Sequence, residues 1–238
     1  MDLTASFFQT VSRQMRDEGL TPSVLSRAVT ELLPVDAGGM STLLGVLRLP
    51  LGASNESART AEVLQTSLGE GPCLAAAVAK STCVADLAEM LTRWPVYGEE
   101  LTRRTPFRSV AAVPLSTPDG DVFAALDLFA EDEHLSHRLD LDAVDQHIAA
   151  PTSALLSLCL SDVRGVDLEQ EMPDWYLVAT ARRHHVWVAT GMLVGRRQQS
   201  TRDALSLLRA HAYGLGCTLD ELADDLVEGR AGLDEVDP

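Results

Sequence analysis

Aromatic residues are scarce in this chain: Phe, Tyr and Trp together make up 5% of its 238 residues. The 46% of apolar positions still supports a sizeable core. There is no run of about 18 apolar residues, which excludes a membrane-spanning helix. The N-terminus carries no basic segment followed by an apolar one, so no secretory signal is expected and the chain reads as cytoplasmic. Its four cysteines, Cys73, Cys83, Cys159 and Cys217, lie far apart with no C-x-x-C, so reduced thiols and no structural zinc are the expectation. His134-x-x-His137 has a spacing that could hold a metal on a helix, but no further ligand lies near it, and it reads as a surface pair. No nucleophile–base constellation and no phosphate-binding glycine loop is present, so an enzyme is not expected, nor a metal or cofactor. Asp127 lies in a strand without the acidic cluster of a phospho-acceptor.

Positive charge is also in short supply, with 19 basic against 35 acidic residues and a net charge of −16. What there is of it is gathered in one place. Arg182, Arg183, Arg196, Arg197, Arg202 and Arg209 lie between positions 182 and 211, opposed by Asp203 alone; this surplus of five leaves −21 for the rest. Localised positive charge in an acidic protein points to a phosphate-bearing partner, although arginines also serve as ordinary solvent-facing residues of amphipathic helices. His184 and His185 abut the arginines and add charge when protonated.

The same segment has strong helix signals. Ser200 with Asp203, and Thr218 with Glu221, each place a hydroxyl at an N-cap and a carboxylate three residues on, Asp203 being shorter than the usual Glu. Leu205, Leu208, Ala212 and Leu215 recur at helical spacing after the first cap, and Leu219, Leu222, Ala223 and Leu226 after the second. Val186, Ala189 and Leu193 mark a third helix starting near Pro173 and Asp174. Three helices joined by short turns make a compact bundle. Gly191 within a helix costs about 1 kcal/mol relative to alanine, so tight packing or a close-lying ligand must compensate. Trp187 could stack on a base or pack between helices, and the helix interface is favoured.

The run Arg183-x-x-Val186-x-x-Ala189-x-Gly191-Met192-Leu193-Val194, followed by Ser200, Ala204, Leu208, Ala212, Leu219, Ala223 and Val227, resembles the ANTAR family. The match is gapless from Val186 to Val227. ANTAR domains are three-helix RNA-binding modules of transcription antitermination that recognise paired stem-loops as dimers. The resemblance implies RNA in a transcript leader as partner and a homodimer, with Arg182, Arg183, Ala189, Gly191, Arg196, Arg197, Arg202 and Arg209 as RNA-binding residues. The family often carries Glu or Gln before the Ala-x-Gly, where this chain has Val188.

At 238 residues, two domains are the natural expectation. Leu3, Phe7, Phe8, Val11 and Met15 give an amphipathic helix over 2–18, and Thr21-Pro22 starts another that runs to about Leu33. A strand is expected over 38–49 and helices over 59–68 and from the Gly69-Glu70-Gly71-Pro72-Cys73 turn to Ala79. Thr82–Val84 forms a brief strand, and Ser109–Leu115 and Val122–Phe129 a hairpin around Pro118-Asp119-Gly120. Cys73 opens a helix whose dipole could lower a thiol pKa, while a buried structural cysteine is the commoner case. This α+β pattern, with Gln65-x-x-x-Gly69-Glu70-Gly71-Pro72-Cys73, Asp86-Leu87, Trp94-Pro95, Ser109-Val110-x-x-Val113-Pro114-Leu115 and Gly120-x-Val122-x-Ala124-x-Leu126, resembles GAF domains. GAF is a ligand-sensing and dimerising, PAS-related fold, which implies an antiparallel sheet flanked by helices and an unnamed small-molecule ligand.

The expected organisation is an N-terminal helix (1–19), a GAF-like domain (20–160), an acidic linker (161–173) and an ANTAR bundle (174–230). Leu141, Val144, Ile148, Leu155, Leu158 and Val163 form a broken helical stripe that either makes a dimer interface or covers the sheet. The leading functional expectation is an RNA-binding antitermination regulator under GAF control. A C-terminal module that binds a protein, and a thiol redox enzyme built on Cys73 and Cys83, are the alternatives.

Overall fold

A computed structural model describes residues 2–44, 47–164 and 172–236. The chain starts with α1 (Leu3–Glu18), capped by the Asp2 carboxylate on the Thr4 amide, and α2 (Pro22–Leu32), capped by Thr21 with Pro22 in its first turn. Strands β1 (Ala37–Leu44) and β2 (Leu47–Ala53) follow, then α3 (Glu56–Leu68), started by the Asn55 side chain on the Ala58 amide and ended by Gly69 in the left-handed region. Next come α4 (Pro72–Ala79), β3 (Cys83–Asp86), α5 (Leu87–Arg93), α6 (Pro95–Arg104), β4 (Ser109–Ser116) and β5 (Val122–Ala130). The short helices α7 (Leu135–Arg138) and α8 (Leu141–Val144) lead through a π turn (Asp145–Ala149) into α9 (Ala150–Arg164). The C-terminal part holds α10 (Asp174–Arg197), α11 (Thr201–Leu215), α12 (Leu219–Val227) and α13 (Leu233–Val236).

The five strands form one antiparallel sheet in the order β2-β1-β5-β4-β3. Strand side chains alternate between faces, and β5 divides its residues accordingly. Ala124, Leu126, Leu128 and Ala130 face the layer of α1, α2 and the π turn, packing with Phe7, Val11, Leu25, Val29 and Ile148. Phe129 faces the other layer with Ala58, Leu64, Met90, Tyr97 and Leu101, and Ala125 meets Cys73 and Ala76 of α4. Because both faces are covered, the strands read as near-continuous apolar runs. Val186, Ala189, Leu193, Ala204, Leu208, Ala212, Leu219, Ala223 and Leu226 form a separate core in α10–α12. This bundle rests on β2 and α3 of the sheet domain.

Several details depart from the sequence reading. The strand expected over 38–49 is a pair, β1 and β2, with Leu44 opposite Leu47, since apolar residues on both arms of a hairpin look like one run. Helices α5 and α6 were not foreseen. The stripe after residue 140 covers the sheet: Val144 and Ile148 are buried in its core, and Leu158 is exposed. The expected linker lies mostly at 165–171, outside the described residues. Among the described residues no helix is long and apolar enough to cross a membrane.

Candidate functional site

Where α3 and α4 cross the sheet, the core is polar. Glu62 and Gln65 are three residues apart on α3 and so share the face that points at the sheet. Gln65 Nε2 donates to Asp127 Oδ2 of β5 at 2.5 Å, and its Oε1 accepts the Cys73 amide at 3.1 Å. Ser41 of β1 donates to Glu62 Oε2 at 2.5 Å, and Arg48 of β2 donates to the Cys73 sulfur. Arg48, Glu62, Gln65, Cys73, Tyr97 and Asp127 are all buried. Two glycines make room for the crossing: a Cβ at Gly39 would lie 2.6 Å from Glu62, and one at Gly71 2.6 Å from Gln65 Oε1.

Burial sets the ionisation here. Glu62 is pushed well above the usual carboxylate range by desolvation first and by Asp127 second. Asp127 is also raised by desolvation, partly offset by hydrogen bonding from Glu62 and by the Arg48 charge. The two carboxyls therefore titrate as a pair, beside the Arg48 charge. Burial also pushes up the Cys73 thiol, and Asp127 adds to it against the opposing pull of Arg48. Cys73 is thus held as a neutral thiol, and the helix-dipole activation considered from the sequence is outweighed. Tyr97 is raised by the same desolvation. Arg48 Nε and Nη1 and the Tyr97 hydroxyl have no partner among the described residues. The arrangement offers fixed donors and a coupled acid pair beside a neutral thiol.

Sequence reasoning quoted Gln65, Gly71 and Cys73 but passed over Ser41, Arg48, Glu62 and Tyr97, and read Asp127 only as a strand residue. A signal was available: Arg48 and Asp127 interrupt apolar strand runs, and such charges are rarely buried unless paired.

The residues expected to bind RNA are spread over the bundle. Arg182 and Arg197 belong to α10, with side chains outside the described residues. Ala189 is buried in the bundle core, whereas Gly191 is exposed and a Cβ there would meet open space, so packing within the chain does not require it. Arg202 is exposed, and Arg196 is exposed beside Asp234. Arg183 is buried against the sheet domain, donating to the Thr66 hydroxyl and lying 3.4 Å from Asp220. Arg209 donates to the Thr66 carbonyl at 3.1 Å, with its guanidinium against Gly69. Desolvation, then Arg183 and Arg48, lower its pKa to about 10. Of the histidines, His185 bonds Asp224 at 2.7 Å and His184 is exposed. Trp187 is 37% exposed rather than enclosed between helices. His134 and His137 are exposed, their rings stacked at 5.6 Å. Cys73 and Cys83 are both free thiols.

No family model and no curated protein matches the chain. Similar solved structures include a type II free methionine-R-sulfoxide reductase from Thermoplasma acidophilum, at 15% identity and TM-score 0.39, covering 66% of this chain and 96% of that one. The GAF domain of a phosphoenolpyruvate-protein phosphotransferase from Coxiella burnetii aligns at 11% identity and TM-score 0.46, covering 67% and 97%. A GAF domain of an A. aeolicus protein, in an inactive state, aligns at 14% identity and TM-score 0.43, covering 66% and 98%.

Proposed function

We propose that the chain is a regulator of transcription antitermination, in which a GAF-type sensor domain controls a C-terminal ANTAR bundle that binds paired RNA stem-loops as a homodimer. The observation that carries this reading is the division of labour in the bundle. The apolar positions of the ANTAR pattern, from Val186 and Ala189 through Ala204, Leu208 and Ala212 to Leu219 and Ala223, pack into one core. Arg196, Arg202 and Gly191 remain at the surface, where a phosphate backbone can approach them. In the sensor half, the GAF-like residues Gln65, Gly71 and Cys73 meet at the buried polar cluster. The unpartnered Arg48 nitrogens and Tyr97 hydroxyl there are the groups that a small polar ligand would engage.

The test is titration of a two-hairpin RNA into the protein from ~50 to ~200 mM salt, where counterion release makes phosphate binding fall steeply. Replacing Arg196 and Arg197 by Ala is expected to weaken binding and reduce the salt slope by about 2. RNA binding that ignores both salt and these substitutions would remove the assigned surface. No binding by a folded dimer would favour a protein partner for the bundle.

A further inference from the structure

A cleft lies between the two halves of the molecule, apart from the polar cluster. It has a volume of about 350 Å³ and is bounded by Ser67 and Leu68 of α3, Arg103 and Arg104 of α6, and Arg209 and Tyr213 of α11. Three arginines meet there with Glu100 as the one carboxylate of the lining. Arg103 and Arg104 both bond that carboxylate, at 2.5 and 2.7 Å, and Glu221 also faces Arg104, so the cleft keeps one positive charge in excess of these carboxylates. Arg209 spends one nitrogen on the Thr66 carbonyl, and its Nε is buried without a partner among the described residues. Ser67 is 6% exposed and its hydroxyl is likewise buried, with no partner among the described residues. Unpaired buried donors and uncompensated guanidinium charge are costly, and an anion accepting from them removes that cost. Apolar surface is supplied by Leu64, Leu68 and Leu219, with the half-exposed Tyr213 ring at its side and Cys217 and Thr218 completing the wall.

We infer that this cleft is a binding site for a small organic phosphate: a phosphomonoester whose head takes the Arg103, Arg104 and Arg209 guanidiniums and the Ser67 hydroxyl, and whose apolar or aromatic body lies on the leucines and Tyr213. Planar guanidiniums suit this head because their paired N–H groups match two phosphate oxygens at once. Such a ligand touches α6 of the sheet domain and α11 of the bundle together, so it favours the docked arrangement by its affinity for that state over the separated one. The site stands independently of any RNA bound by the protein.

The experiment is calorimetric titration of the full chain with phenyl phosphate, with inorganic phosphate and with potassium chloride at matched ionic strength, alongside thermal unfolding. Phenyl phosphate should bind and raise the unfolding temperature, inorganic phosphate should bind more weakly, and chloride should do neither. Arg103→Gln removes an exposed side chain and leaves folding intact; it should weaken phenyl phosphate by on the order of tenfold, the loss of one charge-assisted contact. Arg209→Met should weaken it at least as much, whereas Arg13→Gln, on the remote surface pair with Glu31, should leave it unchanged. An equal response to the three salts, or unaltered binding in Arg103→Gln, would overturn the assignment.

Discussion

Glu62 and Asp127 are two acids enclosed with one arginine, and their raised, coupled titration gives the sheet domain a particular pH dependence. A carboxyl whose folded pKa is raised stabilises the fold fully below its unfolded value and loses that contribution as pH rises through the folded one. The stability contributed by Glu62 is therefore complete below its ordinary 4.5 and declines as pH climbs through its raised value. Glu62→Gln should flatten this part of the stability profile in denaturant titrations across pH, and an unchanged slope would show that the proton is held elsewhere. Gln65 bridges Asp127 and the Cys73 amide. Its replacement by Ala strands both buried partners, at a cost of about 1–3 kcal/mol for each, measurable by the same titration. The motif residues of this site were legible because Gly71 and Cys73 mark a turn with its own backbone demands. Arg48 and Glu62 were not, because nothing adjacent in the chain reveals that a charge on a strand or helix will be enclosed.

Helix starts depend on interactions within three or four residues, and these were the most readable elements. The Thr218 hydroxyl accepts the Glu221 amide at 3.2 Å while the Glu221 carboxylate accepts the Thr218 amide at 2.7 Å, a complete reciprocal cap. At Ser200 the hydroxyl accepts the Asp203 amide, but the shorter Asp203 side chain reaches the Ser200 hydroxyl instead of its amide. Thr218→Ala should cost about 1 kcal/mol in bundle stability, seen as a lowered denaturation midpoint. The Glu221 carboxyl is lowered mainly by the Thr218 amide, so the cap's contribution is present at neutral pH and fades as pH drops below the usual carboxylate value. Helices α5 and α6 escaped sequence reasoning although Asp86 caps one and Pro95 opens the other. They span 7 and 10 residues, too short for apolar spacing to repeat convincingly.

The two halves meet at the last turn of α3, where helix carbonyls carry partial negative charge and attract cations. Arg183 and Arg209 occupy that position at Thr66; in the docked arrangement Arg183 is buried and Arg209 faces the narrow cleft between the halves, so neither is open to an RNA backbone on the outer surface. Gly69 makes this seat possible: it sits at φ +72°, and a Cβ there would run into the Arg209 guanidinium. Gly69→Ala should displace Arg209 and lower stability by roughly 1–2 kcal/mol through the left-handed backbone. On the proposed function it should also tighten RNA binding relative to the parent protein in hairpin-RNA titrations. Lower stability without tighter binding would mean that docking does not restrain the bundle.

Helix caps, the β4–β5 hairpin, the bundle's apolar stripe and the concentration of arginine near the C-terminus could all be read along the chain. Each rests on contacts between near neighbours or on composition, which spacing records directly. The placement of charge could not. Asp127 meets Gln65 across 62 positions and Arg183 meets Thr66 across 117, and no local pattern encodes which distant element will arrive. Packing of the bundle on α3 is what divides one arginine-rich segment into buried Arg183 and half-buried Arg209, with Arg196 and Arg202 left in solvent, because a guanidinium's surroundings depend on the surface laid over it.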